Sequence, residues 1–436
     1  MTDLPQLFTE RISRQLGDEM PAFLNAMKED ALRGIRINCR KPFDGMETYT
    51  YGKKIPWAEN SYYLSFDSFA GLTVFHEAGA FYLQEPSAMI PVEVLDPQPG
   101  ESILDLCAAP SGKSTQIGQK MNGKGLLVCN EPVPKRALIL SRNIERIGIT
   151  NSIVTNAFPE SFPESWNGFF DGILVDAPCS GEGMFRRDPQ TRDEWSPGQA
   201  VGCVKRQEKI LEEAARMLKP GGRIVYSTCT YNPDENENVI FAFLEKHRDF
   251  SPVEFRLPQI HGKNGMFLCL PHRTMGEGQF TALLKKSGKS GEIKACLPFR
   301  RVSDTETEWL NKVIPGLPPA NGRFGDLLVM VPECPDLKGI RILRAGLHIA
   351  EIRGKNIIPA HSSALSSFCP DVQVLSLTAA ETEKYIAGAE ISGDLNGWGL
   401  LSFGKVILGW GKGSCETVKN HYPKGLRKEH ILTEPI

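Results

Sequence analysis

No run of about 18 consecutive apolar residues occurs in this 436-residue chain, so nothing in it reads as a membrane-spanning helix. The segment Met1 to Glu10 lacks a basic stretch followed by an apolar run, which argues against a secretory leader. An excess of charge is missing too: 50 Lys and Arg stand against 52 Asp and Glu, a formal net charge of −2. Nucleic acid, if bound, must therefore be met by local basic patches rather than by overall charge. None of the eleven cysteines forms a CxxC pair, and their irregular spacing in so long a chain excludes a small disulfide scaffold. Reduced thiols in the cytoplasm are the expectation. There is no internal repeat and no low-complexity tract, and no grouping of residues calls for a metal.

What is present falls into three stretches. Residues 1–90 mix helical periodicity (Phe8, Ile12, Leu16, then Met20 to Leu32) with the short β-like runs 34–38 and 61–64, the mark of a small α+β domain. After the turn signal Pro97-Gln98-Pro99-Gly100, residues 91–287 alternate strand candidates at 102–107, 125–130, 151–155, 170–176 and 222–228 with helix candidates at 113–121, 134–147, 200–218 and 234–247. That alternation predicts βαβ units, hence a parallel α/β sheet, closed by an antiparallel hairpin at 266–269 and 280–284. Ser287 to Gly291 reads as a linker, and residues 291–436 carry short, glycine-rich strand patterns such as 398–401 and 406–411, a β-rich accessory region.

Ligands of open α/β sheets bind outside the carboxyl ends of the strands. The first such loop is Cys107-Ala108-Ala109-Pro110-Ser111-Gly112-Lys113, feeding a helix N-terminus whose free N–H groups suit polar or anionic groups. Gly112-Lys113-Ser114 imitates a P-loop, but Cys107 stands where that motif needs glycine, and GxGxxG is absent. A nucleoside cofactor without pyrophosphate, S-adenosylmethionine, fits such a loop. Glu131, after the second strand, is placed either to accept from ribose hydroxyls or simply to start the next helix as a favoured carboxylate.

Two cysteines each follow a buried-strand pattern: Cys179 in Asp176-Ala177-Pro178-Cys179-Ser180-Gly181, and Cys229 in Ser227-Thr228-Cys229-Thr230. Free cysteine is usually a small core residue, and Cys39, Cys129, Cys269 and Cys296 are read that way. Cys179 and Cys229 sit instead in polar end-of-strand loops, where N–H groups and helix dipoles favour a thiolate. Asp176 reads either as an acceptor for nearby backbone N–H groups or as a buried carboxylic acid able to donate to a ring nitrogen. The residues alone do not say which thiol attacks, and Pro178-Cys179 imitates the Pro-Cys nucleophile of DNA cytosine methyltransferases.

These motifs, with Pro233-Asp234-Glu235-Asn236-Glu237, the upstream Gln84-Glu85-Pro86-Ser87 and Arg36-Ile37-Asn38, resemble those of the Nop/Sun (Fmu) family of RNA cytosine-C5 methyltransferases. The tail around Asn420 to Arg427 is similar to that of bacterial RsmF-type ribosomal RNA methyltransferases. The resemblance implies a Rossmann-like S-adenosylmethionine-dependent core with an RNA-binding N-terminal domain and a PUA-like C-terminal region. It implies Cys229 as nucleophile and Cys179 as the helper in product release. It places the cofactor on Cys107 to Lys113 and Glu131, with Asp176 near both cofactor and cytosine and Lys113 beside the chemistry. Where many members have two glycines before the lysine, this chain has Ser111-Gly112, so a hydroxyl is expected to replace one backbone contact. Asn156 stands where the family often offers the adenine a carboxylate. The expected substrate is cytosine of 16S ribosomal RNA, free or in an assembling or assembled small subunit, met by a monomer.

Two surfaces read as RNA contacts. Phe185-Arg186-Arg187 combines a stacking ring with two cations. Between 405 and 428, six Lys and Arg residues (Lys405, Lys412, Lys419, Lys424, Arg427, Lys428) are opposed by Glu416 and accompanied by Trp410 and Tyr422, with Trp398 just upstream.

Overall fold

The computed structural model describes residues 4–50, 53–65, 68–289, 291 and 295–433. Ser290 of the expected linker lies outside them. The centre is a sheet built from strands β1 (Ser102–Asp105), β2 (Leu126–Asn130), β3 (Ser152–Thr155), β4 (Phe170–Asp176), β5 (Leu218–Thr228), β6 (Met266–Cys269), β7 (Gln279–Lys286) and β8 (Ile342–Ala345), in spatial order β6-β7-β5-β4-β1-β2-β3-β8. A short strand, Phe250–Pro252, also pairs with β7. The five strands β3-β2-β1-β4-β5 are parallel, and β7 and β6 continue the sheet antiparallel. Their runs are apolar because both faces are covered: Ile103, Leu104, Leu127, Val128, Ile173 and Leu174 are fully buried.

The crossovers are helices α1 (Gly112–Met121), α2 (Pro134–Ile147), α3 (Pro197–Met217) and α4 (Glu237–Lys246). α2 starts on proline and stops at Gly148, whose φ of 83° is the left-handed cap that glycine supplies at least cost. β5 begins at Leu218, earlier than the strand candidate at 222. Leu218 pairs with Phe170, residues 219–222 bulge outward, and pairing resumes with Arg223 opposite Gly172. Pro220 cannot donate to a ladder and Gly221 turns through φ 81°, so the expected break became a bulge within one strand.

Helices Gln6–Leu16 and Met20–Ala26 and an antiparallel sheet, with Gly34–Ile37 between Ser61–Tyr63 and Phe81–Leu83, form the N-terminal region. Arg36 bolts this sheet to α1: it is buried and donates to Gln119 Oε1 (2.7 Å), Thr115 Oγ1 (2.6 Å) and the Gly112 carbonyl (3.0 Å). The C-terminal stretch is β-rich, as expected, with a four-stranded sheet (322–359) and a five-stranded one (374–420). One of its strands does something the sequence pattern did not suggest. β8 pairs antiparallel with β3 and closes that edge of the central sheet.

Candidate active site

Asp176, the last residue of β4, pairs in register with Ser227 near the end of β5, so the two thiol loops leave the sheet side by side. They meet: Cys179 Sγ lies 3.4 Å from Cys229 Sγ, and both thiols are free and partly exposed. Glu235 locks the pair of loops from beneath. Its carboxylate, fully buried, accepts from the Ser180 N–H (2.8 Å), the Ser180 hydroxyl and Gln207 Nε2 (3.2 Å) of α3, while Gln207 also donates to the Pro178 carbonyl (2.9 Å). Ser180 in turn touches Thr230 Oγ1 of the other loop. The buried Glu182 takes the Tyr231 N–H (3.2 Å), Trp195 Nε1 (3.1 Å) and Arg11 (2.6 Å), tying the first helix of the chain to the same loops. The Gly183 N–H donates to the Cys229 carbonyl, and a Cβ at 183 would meet the Gly278 carbonyl at 2.7 Å, which restricts the position to glycine.

The Cys179 thiol is pushed well above the usual cysteine range, first by its hydrogen bond to Cys229, then by burial and by the Cys229 and Glu235 charges. A thiol that keeps its proton can donate it to the neighbouring sulfur. The 3.4 Å contact is symmetric in the two sulfurs, so the raised Cys179 pKa, and not the distance, is what separates them.

Asp176 departs from the buried-acid reading. A third of its side chain is exposed, and three donors converge on it: Lys113 Nζ at 2.8 Å, the Ser227 hydroxyl at 2.7 Å and Gln279 Nε2 at 3.4 Å. An ammonium and two neutral donors are the surroundings of a carboxylate. Burial disfavours the Lys113 charge, but Asp176 outweighs it and the lysine pKa is raised.

Along the cofactor loop, Arg136 and Asn143 of α2 donate to the Ala109 and Pro110 carbonyls (2.9 and 3.0 Å) and hold its shape. Ala108 and Ala109 are small and buried, and the Ala109–Pro110 peptide is cis. Ser111 has φ 108°, a glycine-like conformation, and its buried hydroxyl faces Tyr82 OH at 3.3 Å. The hydroxyl is thus engaged within the protein instead of replacing a loop contact. At the base of the loop Asp105 is buried: Oδ2 accepts from Ser114 (2.6 Å), Oδ1 finds no partner among the described residues, and burial pushes its pKa up to about 7. Cys107 is likewise raised by burial, then by Asp105, Asp176 and Glu131. Glu131 accepts from the Val133 N–H (2.9 Å) ahead of α2 and pairs with Arg136 (3.3 Å). Asn156 is spent on structure, its Nδ2 donating to the Glu131 and Pro132 carbonyls (2.8 and 2.9 Å) and its Oδ1 accepting from Arg341.

The expected RNA contacts fare differently. Phe185 is fully buried against Phe8 (ring centroids 5.0 Å apart), and Arg186 forms a buried two-pronged pair with Glu277 (2.7 and 2.6 Å) while donating to the Ala26 carbonyl. This motif is core, because the N-terminal helices cover it; Arg187 alone is exposed. In the tail, Trp410 and Tyr422 are buried, whereas Trp398 reaches the surface with Lys412 over its ring. Cys129 and Cys269 are buried as read, but Cys39 and Cys296 are exposed. Gln207, Glu182 and Gln279 carry the site without having been singled out, and Glu235 was quoted only within the Pro233 to Glu237 motif. Buried carboxylates in a Pro-Asn-rich loop were the available signal for Glu235; its partners come from α3 and β4's loop and are visible only once folded.

Similarity to known proteins extends over most of the chain. Residues 92–285 match the family described as 16S rRNA methyltransferase RsmB/F, residues 4–86 the N-terminal domain of 16S rRNA methyltransferase RsmF, residues 308–366 the RsmF first C-terminal domain, and residues 372–428 the RsmF PUA domain. The ribosomal RNA small subunit methyltransferase F proteins of Shigella boydii and Escherichia coli are each 31% identical over 471 aligned residues, covering 98% of either chain. A methyltransferase homologue from Pyrococcus horikoshii superposes with a TM-score of 0.57 at 28% identity, over 65% of this chain and 95% of its own. NSun6 from the same organism, solved with SFG, shares the fold with a TM-score of 0.58 at 20% identity, over 65% of this chain and 99% of its own. With its two thiols side by side above a Rossmann-like sheet and full-length similarity to those relatives, the chain belongs to the RsmF family of ribosomal RNA small-subunit methyltransferases.

Proposed function

We propose that the chain methylates carbon 5 of cytosine in small-subunit ribosomal RNA, with Cys229 as the covalent nucleophile. The observation that carries this reading is the 3.4 Å approach of the two thiols at the ends of β4 and β5, with the Cys179 pKa raised beside Cys229. C5 of cytosine is too weakly nucleophilic to be alkylated unaided. The Cys229 thiolate adds to C6, Cys179 being placed to donate to that sulfur before attack, and the ring becomes an enamine with an electron-rich C5. As the bond forms, N3 takes a proton from the Lys113–Asp176 pair, in which Lys113 holds the proton and Asp176 can relay it. Once C5 carries the methyl group, a base removes its proton, the Cys229–C6 bond breaks with its electron pair returning to sulfur, N3 returns its proton, and the Cys179 thiol steadies the departing thiolate by hydrogen bonding.

The residues present fit S-adenosylmethionine. Asp105 Oδ1 is a buried acceptor without a partner among the described residues, at the base of the loop, and Glu131 presents a carboxylate shared with an exposed arginine. Cys107, Ala108, Ala109, Pro110, Ser111, Gly112, Lys113 and Glu131 would hold the cofactor, with Asp176 bordering it and Asn156 shaping the adenine side through the 131–132 backbone. When bound, S-adenosylmethionine supplies the electrophilic methyl group.

In the same reading residues 91–287 do the chemistry, while 1–90 and 291–436 position the RNA, which is single-stranded or has its target base flipped out. The free cysteines suit a cytoplasmic enzyme, and a monomer suffices because one chain supplies every named group. The test is methylation of 16S RNA or small subunits by the purified protein, read as 5-methylcytosine by bisulfite sequencing. Cys229→Ala should lower the rate by at least about 10⁴-fold, the size of effect seen when a covalent nucleophile is removed. Turnover that survives the substitution refutes the assignment.

A further inference from the structure

The two C-terminal sheets meet at an open cleft of about 540 Å³, within the roughly 300–1,000 Å³ of small-ligand sites. Each side contributes an aromatic and a cation. Trp309 stands on helix Asp304–Val313, and Lys355 follows strand Leu347–Arg353; Trp398 and Lys412 lie on the paired strands Gly397–Phe403 and Val406–Ser414. Trp398 and Lys412 are register partners, so they share a face, and the ammonium sits 5.4 Å from the ring centroid. Asn356 and Asn396 add amide donors and acceptors, and the lysines face one lining carboxylate, Asp371. The walls are fixed, because both sheets share one core that includes Leu310, Leu328, Ile349, Ile357, Leu400 and Trp410.

Behind Trp398, His421 packs edge-on at 4.3 Å. Its pKa falls to about 4, chiefly through burial, with Lys419, Lys412 and Arg353 adding to the fall. Flat aromatic faces, amide edges and paired cations are what a nucleotide needs: stacking for the base, hydrogen bonds for its edge, charge for its phosphate. Val313, Pro315, Ile357 and Val372 also line the cleft, and two lysines against one carboxylate favour a phosphate-bearing ligand over a peptide.

We propose that this cleft seats one unpaired nucleotide of the RNA, its base taking the place of the Lys412 ammonium on the Trp398 ring and its phosphate meeting Lys355 and the displaced Lys412. The site would anchor the substrate away from the thiols, and it rests on the RNA-methyltransferase reading above. Fluorescence anisotropy of the full chain with a labelled single-stranded RNA of about ten nucleotides tests it. Trp398→Leu should weaken binding by about fivefold or more, the lower end of one base–aromatic stack. Lys355→Ala with Lys412→Ala, both exposed and so harmless to folding, should reduce the slope of log affinity against log salt by about 0.7, one phosphate's worth on a single strand. Methylation by the same proteins should show a raised KM and an unchanged kcat. Unaltered affinity in Trp398→Leu together with an unaltered salt slope overturns the cleft, even if 5-methylcytosine is still formed. Weakened binding by both variants alongside a wild type that forms no 5-methylcytosine leaves the cleft standing and overturns the reading of function.

Discussion

Asp105 shows what burial does to a single group. Its pKa is raised from 3.8 to about 7, so the folded protein favours its protonated form. The stabilisation this gives is complete below about pH 4 and is lost as pH rises toward 7. Asp105→Asn is neutral throughout. Its thermal midpoint relative to wild type, measured without cofactor, should therefore climb between pH 5 and pH 8; a pH-independent difference would contradict the burial argument. Asp105 was legible only as part of a motif, since nothing in Ser102 to Asp105 says that one oxygen will lack a partner. The thiols were legible because polar residues flank them at strand ends. Their separation of 3.4 Å and the raised Cys179 pKa were not, because both arise from contact between loops 50 residues apart, which Glu235 braces through Ser180. Phe185 and Arg186 misled for the converse reason: an aromatic beside arginines looks the same in sequence whether RNA or Phe8 and Glu277 await it.

At the level of elements, the parallel strands and crossover helices were readable from alternating apolar runs and punctuating Gly and Pro. β8 was not, because Ile342–Ala345 is too short to carry a pattern and its partner lies in another stretch of chain. Its attachment is strengthened by Arg344, buried and paired with Glu145 of α2, a fifth of whose side chain is exposed. Breaking a buried pair costs about 3–5 kcal/mol, and the partial exposure of Glu145 reduces that. Arg344→Ala should thus lose about 2–3 kcal/mol in urea unfolding; an unchanged midpoint would mean that β8 is held by its ladder alone.

Across the whole molecule the three stretches of sequence are not three separate cores. Val329, Val331, Cys334 and Leu337 pack into the same cluster as Val128, Trp166 and Ile224 of the central domain. Phe75 and Phe81 of the first ninety residues share a cluster with Leu377, Tyr385, Leu401 and Tyr422 from the tail, and Lys428 pairs with Glu77 across that joint. Composition shifts mark where the chain changes style, but they carry no information about which apolar faces end up together. A chain cut after residue 287 would expose both faces and the β3 edge, so it should aggregate while the full chain stays monodisperse in size-exclusion chromatography. A soluble, folded fragment would contradict the shared cores.

Division of labour between the two sulfurs is decided most directly by incubating Cys179→Ala with RNA and S-adenosylmethionine and resolving the products under denaturing conditions. Nucleophilic attack by residue 229 with release assisted by residue 179 predicts a stable protein–RNA adduct whose crosslinked peptide contains Cys229, and none when Cys229→Ala is added. An adduct mapping to Cys179 in the wild type, or efficient turnover without any trapped species in Cys179→Ala, would contradict it.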